Sequence, residues 1–223
     1  GMNMKKVAVI LSGCGYLDGA EIRESVLTLL ALDIEGIEYS IFAPDIQQYH
    51  VVNHIAGEPD QSATRNVLQE AGRIARGKIS PITELAAEQF DGLLIPGGFG
   101  VAKNLSSFAF KGSEGEVEQS VIAVLQAFKT SNKPIGAICI SPALLALTFG
   151  DLQPTLTIGH HAGTAAEIEK TGAVHQVCET NDCVVDTTHR LVTTPAYMDD
   201  HANLKDIFQG ISKLVKAMVG LSK

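Results

Sequence analysis

The chain has 223 residues, 45% of them hydrophobic, and a formal net charge of −8. That length suits one α/β domain with a buried core. The absence of any lysine- or arginine-rich block argues against nucleic acid or an anionic membrane surface as partner, and no apolar run approaches the roughly 18 residues of a membrane span.

Gly1, ahead of Met2, reads as an expression scar. Lys5 and Lys6 with the apolar stretch up to Cys14 imitate an export signal, but residues 7–11 are too short for one and read as a first strand. Residues 12–15 form a turn. Asp18 and Glu21 have capping-box spacing, with Asp18 as the N-cap. The helix continues through Glu24, Val26, Leu27, Leu29 and Leu30, whose spacing gives one apolar face. Glu38–Ala43 is a second strand. Residues 47–59 are polar and aperiodic, long enough for a functional insertion. A helix over 64–75 precedes a third strand over 90–95, which runs into the glycine-rich loop 96–100. Another helix spans 117–128.

Lys133-Pro134 then opens the apolar strand Ile135–Ile138, and Ser141-Pro142 starts a helix, Ser141 as N-cap and Pro142 in the first turn. Cys139 sits at the elbow between them. The helix terminus there predicts a lowered thiol pKa, and the N–H of Ile140 points where an oxyanion would form. A buried structural cysteine fits the same position equally well. Downstream, residues 156–158 read as a strand and 164–171 as a short helix. Val184–Asp186 and Leu191–Thr194 read as hairpin-linked strands, and 203–219 as a closing amphipathic helix. The alternation predicts a single α/β domain over residues 1–223: a doubly wound, mostly parallel sheet with helices on both faces.

In such a sheet, ligand sites lie at the carboxyl ends of the strands, where loops 12–15, 96–100 and the Cys139 elbow converge. The Gly97-Gly98 backbone there offers a second oxyanion donor, or simply a tight turn. Glu24 lies one helical turn beyond Glu21 and fits either a solvated face or the cleft; in the cleft, a neighbouring thiolate would keep it protonated. His160 and His161 are candidate accessory groups for the thiol, or loop histidines. Arg65 and Arg73 could wall the pocket or form ordinary ion pairs. Cys178 and Cys183 lack a second Cys/His pair, so neither a zinc site nor a disulfide framework is expected, and a reducing compartment is.

The strings AICISPALL, IPGGFGVAKNLS and DGAEIRE resemble the ThiJ/PfpI superfamily, whose fold is class I glutamine-amidotransferase-like. VVNHIAGE, TRNVLQEAGRIARGKI and VTTPAYM are similar to its ElbB-type branch, bacterial proteins named for isoprenoid biosynthesis with mitochondrial relatives. The resemblance implies a flavodoxin-like sandwich with a nucleophile elbow, usually a homodimer, cytoplasmic in bacteria or mitochondrial in eukaryotes. It implies Cys139 as nucleophile, Glu24 as acid/base and the backbone of Gly98 and Ile140 as oxyanion donors. It also implies a glutathione-independent glyoxalase without cofactor or metal, acting on a small dicarbonyl such as glyoxal or methylglyoxal. The related deglycase-type histidine falls on Gly159 here, with His160 one step on. No histidine has Glu two positions later, which disfavours glutamine hydrolysis. The competing reading is a redox-sensing binding protein linked to isoprenoid metabolism, with Cys139 as sensor and residues 47–59 and 103–111 as partner surfaces.

Overall fold

The computed structural model describes residues 4–222; Gly1 lies outside the described residues. In chain order the strands are β1 (Lys6–Ile10), β2 (Glu38–Ala43), β3 (Val52–Asn53), β4 (Glu58–Pro59), β5 (Ile79–Pro81), β6 (Gly92–Ile95), β7 (Ile135–Ile138), β8 (Thr155–Leu156), β9 (Val174–His175), β10 (Val184–Asp186) and β11 (Leu191–Thr194). The helices are α1 (Ile22–Ile34), α2 (Val67–Ile74), α3 (Phe99–Lys103), α4 (Phe108–Lys111), α5 (Gln119–Thr130), α6 (Pro142–Phe149), α7 (Ala162–Lys170) and α8 (Leu204–Leu221).

Seven strands make one sheet in the order β10-β11-β7-β6-β1-β2-β5. Every pairing is parallel except β10 with β11. The strands β6, β7 and β11 are buried along their whole length, because helices cover both faces, which is why their sequences read as unbroken apolar runs. Alternation divides the sheet between two cores. Ala8, Ile10, Leu93 and Ile95 pack with Val121, Leu125 and Phe128 of α5 on one face. Val7, Val9 and Leu94 pack with Leu32 of α1 and Ile207, Ile211 and Leu214 of α8 on the other. The doubly wound, flavodoxin-like reading holds.

Several local expectations are corrected. Asp18 is not the cap of α1. Glu21 is, accepting the N–H groups of Arg23 and Glu24 at 2.9 Å each, while Asp18 accepts the N–H of Val52 at 2.8 Å. The buried face of α1 is not the apolar one: Glu24, Ser25, Thr28, Ala31 and Leu32 point inward, and Ile22, Val26, Leu30 and Ile34 are exposed. The helix predicted over 64–75 is shorter, because Asn66 caps it by accepting the N–H of Gln69 at 2.9 Å. The polar insertion contains the β3–β4 hairpin. The edge strand β5 had no sequence signal; its Pro81 lacks a ladder donor and is tolerated at the edge.

Candidate active site

Four segments meet at the carboxyl ends of the central strands. They are the first turn of α1, loop 96–98 after β6, the elbow after β7 and the turn after β11. At the elbow the Cys139 N–H donates to Thr194 O at 3.0 Å. Cys139 takes φ +63°, a left-handed conformation that costs a non-glycine residue about 1–3 kcal/mol and persists only where the surroundings enforce it. Here they do: β7 is locked between β6 and β11, and the Ser141 N–H returns to Ile138 O at 3.0 Å. Ser141 starts α6 but makes no side-chain cap, contrary to expectation. Its hydroxyl donates instead to Pro96 O at 2.8 Å, tying the elbow to the β6 loop.

Glu24 comes from the opposite wall. Glu21 anchors the start of α1 by donating its own N–H to Gly97 O at 2.9 Å. One turn on, the fully buried Glu24 carboxyl accepts the N–H of Gly97 at 2.9 Å and of Tyr197 at 3.2 Å. Two glycines make this approach feasible. A Cβ at Gly97 would lie 2.5 Å from Cys139 Cβ and 2.6 Å from Glu24 Oε1; at Gly98, with φ +104°, it would lie 2.3 Å from Gly19 O.

The electrostatics follow from this packing. Desolvation, then the charge of Glu21, pushes the Glu24 carboxyl up to about 8, against the N–H groups and the thiol that favour its charged form. The expected lowering of the Cys139 pKa does not occur. Burial first, and then Glu24, raise the thiol well above its ordinary value, while the N–H groups of Gly98 and Ile140 pull it back. Sulfur and carboxyl thus form one proton-sharing pair, faced by two backbone donors. The sulfur's residue is only 7% exposed, so it is reached through the cleft above it.

That cleft has a volume of about 890 Å³. Cys139, Gly98 and Ile140 line it, with Tyr16, Phe99, Ile22, Tyr197 and Met198 supplying apolar surface and Arg23, His54 and His161 polar groups. Glu24, fully buried, is not among the lining residues. His161 lines the cleft and caps α7, its Nδ1 accepting the N–H of Thr164 at 3.3 Å. His160 is not brought there: exposed, it lies 3.1 Å from Glu179. Arg65 and Arg73 are also outside it, paired with Glu70 at 2.6 and 3.2 Å. Sequence reasoning missed Tyr16, Arg23, His54 and Tyr197. His54 reaches the rim only because the β3–β4 hairpin folds back, where its Nε2 accepts the Leu17 N–H at 3.2 Å. Among the described residues no cluster of three His, Cys, Asp or Glu side chains could hold a metal ion, and no helix is long and apolar enough to cross a membrane. All four cysteines are free.

Residues 5–206 match the model of the DJ-1/PfpI family. The chain is 43% identical over 226 residues to human "Glutamine amidotransferase-like class 1 domain-containing protein 3, mitochondrial", covering 97% of this chain and 83% of that protein. It is 42% identical to rat "ES1 protein homolog, mitochondrial", covering 97% and 84%. A crystal structure of an isoprenoid biosynthesis protein with amidotransferase-like domain from Ehrlichia chaffeensis superposes with a TM-score of 0.92 at 39% identity, covering 98% of this chain and all of that one. Drosophila melanogaster DJ-1beta shares the fold, with a TM-score of 0.58 at 16% identity, covering 98% and 91%.

Proposed function

The chain belongs to the DJ-1/PfpI family, and from that premise we propose that it is a glutathione-independent glyoxalase, converting glyoxal to glycolate or methylglyoxal to lactate. The observation that carries this reading is the Cys139–Glu24 pair facing the Gly98 and Ile140 N–H groups at the base of the cleft.

The reaction needs a nucleophile, an oxyanion site and a base that returns its proton. Sulfur, as thiolate with protonated Glu24, adds to the aldehyde carbon; a C–S bond forms and the carbonyl electron pair moves onto oxygen. The two backbone N–H groups hold that oxyanion. Glu24 gives its proton to that oxyanion and, now a carboxylate, takes the proton from this carbon and delivers it to the neighbouring one through an enediol, leaving a thioester and a hydroxyl. Water cleaves the C–S bond, releasing the 2-hydroxy acid and restoring the thiol. The sum is dicarbonyl plus water to hydroxy acid, with no external oxidant or reductant. The test is glycolate formation from glyoxal by the purified protein without glutathione, followed by NMR. No glycolate above the uncatalysed rate refutes the reading.

A second copy of the chain is the proposed cover for the exposed stripe Ile22, Val26, Leu30 and Ile34 on α1. Its four-residue spacing is that of one helix face, which can pack against its own image across a two-fold axis. Light scattering is expected to give twice the 23.7 kDa chain mass, and Val26→Asp to halve it. A wild-type monomer contradicts this assembly.

A further inference from the structure

The cleft contains a cation that the reaction above does not use. Arg23 is the second residue of α1, two past the cap Glu21, and its side chain is exposed. Its guanidinium donates to the Tyr197 hydroxyl at 3.2 Å, and among the described residues it has no carboxylate at ion-pairing distance. The two acids beside it in sequence are both engaged: Glu21 accepts backbone N–H groups on both oxygens, and the fully buried Glu24 accepts those of Gly97 and Tyr197. Tyr197 links this pair to the reacting centre, since its own N–H binds Glu24 Oε2 at 3.2 Å. The wall's histidines are largely committed. Both ring nitrogens of His54 are engaged by Leu17 and Val52, and Nδ1 of His161 by Thr164. A two-carbon dialdehyde also fills only a small part of an 890 Å³ cleft whose walls include Tyr16 and Phe99.

We infer that Arg23 and the Tyr197 hydroxyl form an anion subsite, and that the preferred substrate is a 2-oxoaldehyde whose carbon chain ends in a carboxylate. The substrate half of this inference rests on the glyoxalase reading. A guanidinium beside a hydroxyl matches a planar monoanion. A phosphate dianion fits less well, because Glu21 and Asp200 share the wall and Arg23 is, among the described residues, its sole lysine or arginine. Methylenes between the two ends of the substrate lie against Tyr16 and Phe99.

The subsite is tested without turnover. Cys139 is alkylated with iodoacetamide above pH 8, followed by peptide mass mapping, with 2-hydroxyglutarate or 2-hydroxypentanoate as competitor. The two acids differ in a carboxylate against a methyl group. In the wild type, 2-hydroxyglutarate is expected to protect at about tenfold lower concentration, equivalent to ~1.4 kcal/mol. Arg23→Met is expected to abolish that preference and Arg23→Lys to keep part of it. Equal protection by the two acids, protection by neither, or a preference unchanged in Arg23→Met overturns the subsite. The same preparations are assayed with 4,5-dioxopentanoate and 2-oxopentanal, with kcat/KM about tenfold higher expected for the first. If the protection preference holds and neither aldehyde is consumed, the glyoxalase reading falls while the subsite stands.

Discussion

Gly97 holds Glu24 at the closest approach its backbone permits: its N–H donates to Glu24 Oε1 at 2.9 Å, and a Cβ on the same residue would lie 2.6 Å from that oxygen. The third party is Cys139, whose Cβ would be 2.5 Å from the added atom. Gly97→Ala must therefore push the acid and the thiol apart. Overpacking of this kind costs about 1–3 kcal/mol of stability, and misplacing reacting groups by about 1 Å costs on the order of 10²-fold in rate. Urea unfolding and glyoxal turnover on this variant check both; a variant with wild-type kcat shows that the spacing is immaterial.

The burial of Glu24 also leaves a signature in stability. Its folded pKa, about 8, is raised above the ordinary value of 4.5, so the folded state holds the proton more tightly than the unfolded chain. This contribution is fully present below about pH 4.5 and is lost as pH rises through about 8. The wild type is expected to lose more unfolding free energy than Glu24→Gln over that window, because the amide cannot ionise. Parallel stability curves for the two proteins would show that the carboxyl carries no such shift.

Turnover has the opposite pH dependence. The active pair needs one proton fewer than the fully protonated pair, so kcat/KM is expected to rise with an apparent pKa of about 8, assigned to the pair rather than to either group. Glu24→Gln is expected to lose that limb and most of the rate, by about 10²–10⁴-fold. A flat profile in the wild type contradicts this assignment.

The two adjacent histidines separate by position. His160 is exposed beside Glu179, away from the cleft, so His160→Ala is expected to keep kcat/KM within about twofold, as surface substitutions usually do. His161 both lines the cleft and caps α7, so His161→Ala is expected to raise KM and to cost about 0.5–2 kcal/mol in unfolding free energy. Substrate titrations and melts of both variants distinguish them.

What the sequence revealed of this site, and what it hid, follows from the range of the interactions. The elbow was readable because strand, turn and helix are contiguous, with Pro142 marking the first helical turn. Glu24 was readable as a helix residue one turn past an acidic start, but its burial was not, because the walls around it come from Gly97 and Tyr197, distant in the chain. Local spacing points to Asp18 as the cap; the real cap is Glu21, and Asp18 is drawn off by Val52 of the hairpin. The thiol pKa departs from the local expectation for the same reason. A local rule about helix ends pointed down, while burial and a neighbouring acid, both tertiary, drive it up. The outward apolar stripe of α1 defeated the usual equation of apolar face with buried face.

Side-by-side conversion of glyoxal by the wild type and by Cys139→Ala, without glutathione, tests the central claim most directly. The account predicts glycolate from the wild type and only the uncatalysed rate from the variant. Equal glycolate from both proteins would place the chemistry elsewhere than on Cys139.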